Sequence, residues 1–374
     1  MENKFIVDQK TLVSILSSMQ PICAKRTTID TTTFILFNIG PRELTLKSTD
    51  LEISLQYSCE VKESSFDQGY SFLVSGRRLF ELVKELDGDI EFQILDNQLV
   101  LQTKAIRLTL HIKDAQEFPP FPERIENLMQ LDTEFFLSIL GRVSFLIPQS
   151  NPNPALNGLL LEISPERLQC TSTDGHCLVQ VTTSKYTLAN KRSWLVPRRA
   201  IFEIKKLLEM INDRHIFLGI CGNQLVFSGL SFNFFTKLLA DSFPSYDSIM
   251  KKDDFFQAAI SRLDLIKTLR RSSCLLSGQF IATRFDFDAH EVKASLHNKE
   301  VGKLEEALVL HKFNGEKLDI RFYSPYLLNG LQVFSDDQVS FYLKNSSKPI
   351  IFESEAEQLS MTYLVMPVSP TMGN

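Results

Sequence analysis

The chain lacks any long hydrophobic run. Its apolar stretches, such as Ile139-Leu140 and Leu159-Leu160-Leu161, fall far short of the roughly 18 residues needed to cross a bilayer, and charges interrupt everything longer. No membrane span is expected. Met1-Glu2-Asn3-Lys4-Phe5 offers neither the charged-then-apolar order of a secretory signal nor a small-residue cleavage site, so the cytoplasm is the expected address. Cysteine is sparse. The six residues Cys23, Cys59, Cys170, Cys177, Cys221 and Cys274 form no CxxC pair and no Cys/His set at zinc-ligand spacing, which argues against both a disulfide framework and a zinc site. Reduced, mostly buried thiols are expected, with no metal or cofactor. Neither sign of charge is in great excess. A net charge of −5 and a pI near 5.8 exclude a protein that coats nucleic acid with its whole surface, while leaving room for a local basic face.

What the chain does have is length and self-similarity. Its 374 residues exceed one ordinary core and suit two or three domains. Lys47-Ser48-Thr49-Asp50-Leu51 returns as Thr171-Ser172-Thr173-Asp174-Gly175, 124 residues later. Asn97-Gln98-Leu99-Val100 returns as Asn223-Gln224-Leu225-Val226 at an offset of 126, and Phe118-Pro119 with Phe121 returns as Phe243-Pro244 with Tyr246 at 125. Arg77 to Leu82 aligns with Arg199 to Ile204 at 122. Offsets this constant point to duplication. The last third diverges but keeps the order of amphipathic segments and strands, giving three units, 1–124, 125–250 and 251–374, joined near Pro122 to Asn127 and Lys251 to Asp254.

Periodicity within a unit is mixed. Ile201, Ile204, Leu208 and Ile211 step as a helical stripe, whereas Phe92 to Ile94 and Leu99 to Leu101 flank Asp96-Asn97 as a hairpin. Each unit reads as two helices and about eight strands, an α+β domain. The six helical segments, 9–19, 75–86, 133–146, 198–211, 262–276 and 324–334, carry thirteen cations against six anions. The helices are basic and the remainder acidic. Arg198 and Arg199 lie two turns from Lys205 and Lys206 and share a face with them, while Lys267, Arg270 and Arg271 form a similar cluster. Helix propensity alone favours Lys and Arg on helix surfaces. Helices gathered on one surface would instead attract phosphates without regard to sequence.

Leu156-Asn157-Gly158 followed by Thr173-Asp174-Gly175-His176, then Val196-Pro197-Arg198-Arg199, Phe243-Pro244-Ser245-Tyr246 and Tyr363-Leu364-Val365-Met366-Pro367, resembles in order the signatures of bacterial DNA sliding clamps, the beta subunits of replicative DNA polymerase III. The resemblance spans the whole chain. It implies a DNA clamp fold of three tandem similar domains and a head-to-tail homodimer closed into a ring around duplex DNA, with helices lining the hole and sheet outside. The implied role is a processivity factor, not an enzyme. It would tether the replicative polymerase catalytic subunit, the clamp loader, other polymerases and repair proteins, which dock short peptides bearing a Gln and apolar anchors.

The resemblance places the peptide pocket at Leu156, Thr173, Gly175, His176, Leu178, Pro244, Ile249, Tyr326, Val365, Met366, Pro367 and Val368. The DNA-facing candidates are Lys25, Arg26, Arg77, Arg78, Arg198, Arg199, Lys205, Lys206, Arg270 and Arg271, about half of them expected to face the hole, and the ring-closing contact sets Leu108 and Leu110 against Cys274 and Leu275. Cys177, Ser248 and Tyr323 depart from the family's usual residues, and the tail after Pro367 runs longer than usual. A clamp-like scaffold with a drifted pocket is the rival reading. His176 beside Asp174 invites a catalytic one, but no nucleophile with base and orienter accompanies them.

Overall fold

The computed structural model describes residues 3–23, 29–276, 281–356 and 358–368. Seven helices occur among them: α1 (Gln9–Met19), α2 (Gly76–Val83), α3 (Thr133–Val143), α4 (Arg198–Met210), the single-turn α5 (Asp247–Met250), α6 (Arg262–Ser273) and α7 (Ser324–Leu331). Six match the expected segments, with ends trimmed by up to three residues, and α5 is additional. The reason α4 forms where it does is its stripe: Ala200, Ile201, Ile204, Leu207 and Leu208 are buried while Lys206 is exposed. Asp8 caps α1 by accepting from the Thr11 N–H at 3.0 Å, and Ser261 caps α6 through the Asp264 N–H. The hairpins turn as the alternation predicts, with Asp96 (φ 49°) and Gly222 (φ 59°) in the left-handed region that two-residue turns require.

Among the described residues all strand pairs are antiparallel, and they form two sheets in two compact units. The first unit comprises residues 1–137 and 199–238, the second 138–198 and 239–374. The central repeat is therefore shared between them: Glu126–Asp132 and the strands from His215 to Lys237 extend the sheet of the first repeat, whereas the strands from Gly158 to Pro197 extend the sheet of the third.

Two strand junctions join the repeats, and they are the same junction made twice. In the first unit Ile53–Glu60 pairs with Phe232–Lys237, with Ile53 opposite Thr236. In the second, Cys177–Thr183 pairs with Leu359–Val365, with Cys177 opposite Val365. Cys177 stands 124 residues after Ile53, the offset of the Ser-Thr-Asp repeats that precede them, so the register is preserved along with the topology.

Among the described residues, the strands that would continue this series have no such partner. Ile106–Asp114 pairs along one edge with Gln98–Thr103, but its other edge is bonded only at Ile112 to Asp114. Gly302–His311 likewise pairs fully with Glu291–Asn298, and along its other edge only Leu310 and His311 are bonded.

The thiols are less buried than expected. Cys23, Cys170 and Cys177 are buried, Cys59 and Cys221 are half-buried, and Cys274 is exposed at the C-cap of α6. Burial pushes the thiols of Cys23 and Cys170 up to about 12, and burial with the nearby Glu43 charge takes Cys59 to about 11.

Candidate functional site

The second strand junction is entered through the turn Thr173 to Cys177, and the sequence dictates its shape. Asp174 Oδ1 accepts the backbone N–H groups of His176 (2.8 Å) and Cys177 (2.7 Å), while Thr173 Oγ1 accepts from Gly175 N at 3.1 Å. Gly175 sits at φ 95°, where a side chain is strained, although a Cβ there would meet nothing nearer than Leu156 Cδ1 at 3.8 Å. Asp174 is thus committed to the turn, and the His176 ring stacks on Tyr326 with centroids 5.5 Å apart. The arrangement is that of a turn and a wall, not of a base and its orienter.

Alternation then sorts the strands into two faces. Leu178, Leu364 and Met366 share one face. Leu178 is 2% exposed and forms a cluster with Ile351 and Leu364, against which Tyr246, Met250, Phe255, Tyr342 and Met366 pack half-buried. Cys177, Tyr363 and the fully buried Val365 lie on the opposite face, so Val365 belongs beneath the site and not on its surface. Cys177 is buried there too, its thiol raised by burial and by the Asp174 charge.

Tyr363 holds the two sides together. Its hydroxyl donates to the Tyr326 carbonyl on α7 at 2.7 Å, and Tyr323 meets Tyr326 edge-on at 5.0 Å. The Met366 N–H donates to the His176 carbonyl at 2.9 Å, and Val368 N–H to the Arg321 carbonyl at 2.8 Å, so Met366, Pro367 and Val368 run along the rim half-buried. Pro244 and Ile249 are exposed on the segment bearing α5. That segment is fixed by Tyr246, whose hydroxyl accepts from Gln169 Nε2 at 2.8 Å and donates to Glu162 Oε2 at 3.3 Å. Burial is the first cause of the upward shift of the Tyr246 phenol.

The site thus brings together Leu156, Thr173, Gly175, His176, Leu178, Tyr326 and Met366, all expected. The pocket residues named from the sequence omitted Tyr246, Met250, Ile351 and Leu364. Tyr246 and Leu364 carried a signal, lying within quoted signature segments, and Tyr246 is also the counterpart of Phe121 in the repeat.

The basic candidates sort by what already holds them. Lys25 and Arg26 lie outside the described residues. Arg77 Nε donates to Glu81 at 2.9 Å, and Lys205 and Lys206 lie 3.8 and 3.6 Å from Glu209 and Glu203. Arg198 Nε donates to the Ile147 carbonyl at 3.0 Å. Arg199 is ion-paired to Asp50 and donates to the Pro21 carbonyl at 3.0 Å, and Arg271 is paired to Glu306. Arg78 and Arg270 are exposed and have no carboxylate partner among the described residues. Counted on the helices as they stand, α1 to α4, α6 and α7, cations exceed anions by seven, the same excess as in the longer segments.

Three family models match in tandem: the N-terminal, central and C-terminal domains of the DNA polymerase III beta subunit, over residues 3–122, 130–245 and 248–369. The chain belongs to the DNA polymerase III beta subunit family. Among its relatives, a protein of Pseudomonas putida named beta sliding clamp is 26% identical over 97% of this chain and 99% of that protein. The beta sliding clamp of Bacillus subtilis is 23% identical over 98% and 99%. The crystal structure of the Pseudomonas aeruginosa sliding clamp bound to griselimycin superposes with a TM-score of 0.90 at 23% identity, covering 99% of this chain and all of that one. The fold is the three-domain clamp fold of this family.

Proposed function

We propose that this protein is a sliding clamp: a non-catalytic processivity factor that closes as a head-to-tail homodimer around duplex DNA and tethers the replicative polymerase to it. The repeated junction carries this reading. The edge that joins repeat one to repeat two, and repeat two to repeat three, is left open once at each end of the series, at Ile106 to His111 and at Gly302 to Val309. Exposed strand edges are a liability that a folded protein covers. Pairing the open edge of one copy with the other open edge of a second copy covers both and repeats the junction, and a head-to-tail contact of this kind generates a ring when its rotation closes.

The side chains suit that contact. Leu108 and Leu110 are half-buried on the first edge, next to exposed Ile106, and Val309 is exposed on the second. Arg107 and Glu305 are exposed, of opposite sign, and have no ion-pair partner among the described residues. Cys274 and Leu275, at the end of α6, complete the contact.

The three clamp domains are 1–124, 125–250 and 251–374. The basic helices present Arg77, Arg78, Lys205, Lys206 and Arg270 to the DNA backbone, a sequence-independent attraction that permits sliding. Arg198, Arg199 and Arg271 contribute charge from fixed positions. The cluster around Leu178 and Met366 receives the apolar anchors of partner peptides, including those of the polymerase, the clamp loader and repair proteins, in the cytoplasm. Tethering needs no chemistry, because a topological link raises the effective concentration of the polymerase at the primer end.

The test is topological. Protein loaded by its own clamp loader onto a nicked circular plasmid should co-elute with the plasmid on gel filtration and leave within minutes once the plasmid is linearised. Equal retention on circular and linear DNA would mean ordinary surface binding and defeat the ring.

A further inference from the structure

The peptide pocket proposed above shares a wall with a second depression. Tyr246 and Met250 pack against Leu178 on one side, and with Arg167, Gln169, Gln180, Asp247 and Lys251 they line a groove of about 180 Å³. Tyr246 is held in place by Gln169 and Glu162, so this partition is a fixed feature. Of the three charged groups in the groove two are cationic, and no carboxylate pairs with Arg167 or Lys251 among the described residues. Both are exposed, whereas the neighbouring Lys252 is occupied by Glu353 at 2.7 Å and lies over the Tyr342 ring.

The amides are already engaged: Gln169 donates to Tyr246 and Gln180 Nε2 to Thr171 Oγ1 at 3.3 Å. A neutral ligand group would therefore find few open donors, and an anion would find two. Asp247 offsets one of the two cations, so the groove suits a single carboxylate. A second cavity of about 310 Å³ adjoins through Arg167 and Gln169, but there Glu162 and Glu166 balance Arg167 and Lys191, so the excess of positive charge is confined to the groove beside Tyr246.

We propose that the groove between Arg167 and Lys251 is an extension of the peptide pocket that receives an acidic side chain flanking the apolar anchors of a partner peptide. The proposal rests on the pocket reading and adds a preference to it: among peptides with equivalent anchors, those with Asp or Glu on the flank that crosses Tyr246 are selected. Charge at such a rim acts on encounter and discrimination more than on total affinity.

The experiment uses the full-length protein and fluorescent peptides containing a Gln and a Leu-Phe anchor pair, with two Asp, two Ser or two Lys placed before or after this core. By anisotropy at low ionic strength, Asp on one of the two flanks should tighten binding about fivefold over Ser, an advantage that fades as salt screens it. The Lys peptide should be weaker than the Ser peptide. In an Arg167→Gln/Lys251→Gln variant the three peptides should bind alike, with the affinity for the Ser peptide unchanged. Equal binding of all peptides to the wild type, or a preference that survives in the variant, overturns the acidic subsite and leaves the pocket standing. Failure of every peptide to bind overturns the pocket itself, and the subsite with it.

Discussion

The two junctions between repeats share a backbone and differ in their side chains. At the first, Lys237 N–H donates to the Glu52 carbonyl at 2.9 Å; at the second, Met366 N–H donates to the His176 carbonyl at the same distance. Thr49 and Asp50 build the first turn as Thr173 and Asp174 build the second, down to the two backbone donors on Asp50 Oδ1. Yet where the second junction carries Leu178, His176 and Met366, the first carries Ser54, Glu52 and Lys237. Ser54 is bonded to Thr49 at 2.7 Å, and Asp50 is clamped by Arg199, so the first junction is closed by polar contacts. Its Phe121 is packed edge-on against Phe235 under Lys47. At the second, the chain after Tyr246 forms α5 and brings Met250 over Leu178. One scaffold thus serves twice, as a latch and as an apolar receptor, and the difference lies in a handful of side chains.

The proposed ring adds a third junction, formed between two copies, and breaking it should give the largest effect. Leu108→Asp with Leu110→Asp would place two carboxylates in that seam without disturbing the fully buried core of the first repeat. Burying them unpaired costs several kcal/mol, so sedimentation should show monomers at micromolar concentrations where the wild type is dimeric. A variant that remains dimeric would separate the ring contact from these strand edges. Next in size is the conversion of the second junction into the first. Leu178→Ser with Met366→Lys removes two apolar contacts of about 1.5 kcal/mol each, and peptide affinity by anisotropy should fall roughly 100-fold while the dimer and its retention on circular DNA stay intact. A loss below about threefold would mean that peptides dock elsewhere.

Much of this was legible in the chain because duplication leaves its mark in short polar turns. Thr-Asp at 49–50 and 173–174 survives since both side chains accept backbone N–H groups of the turn in each copy, and a one-residue insertion there would alter the register of the following strand. The helices were legible from their stripes, and the excess of cations on them from simple counting. Arg77, Lys205 and Lys206 pair with carboxylates three or four residues away, a spacing the sequence shows, but the partners of Arg199 and Arg271 were hidden: Asp50 is 149 residues from Arg199 and Glu306 is 35 from Arg271, distances that only the fold closes. The side of a strand was hidden as well. Val365 and Met366 are neighbours in a signature segment, but alternation buries Val365 beneath the sheet and leaves Met366 at the rim. Tyr246 and Met250 sit one turn apart at α5, but Ile351 comes from a strand about a hundred residues later, so nothing in the sequence groups the three.

The smallest effect concerns the turns themselves, and its sign is the informative part. Leu51 occupies in the first turn the left-handed position that Gly175 occupies in the second, with φ 76° against 95°. A residue with a Cβ pays about 1–2 kcal/mol for that conformation, offset in part by the greater chain entropy that glycine loses on folding, about 0.5–1 kcal/mol. Leu51→Gly should therefore stabilise the protein by roughly 0.5 kcal/mol or a little more, read as a rise in the urea midpoint. Gly175→Leu should destabilise it by at least as much. It should also weaken peptide binding, since the new side chain would stand beside Leu156 at the pocket wall, whereas Leu51→Gly should leave binding untouched. If both substitutions shifted the midpoint in the same direction, the two turns would not be the conformational equivalents that the repeat makes them, and the latch and the receptor would have to be explained separately.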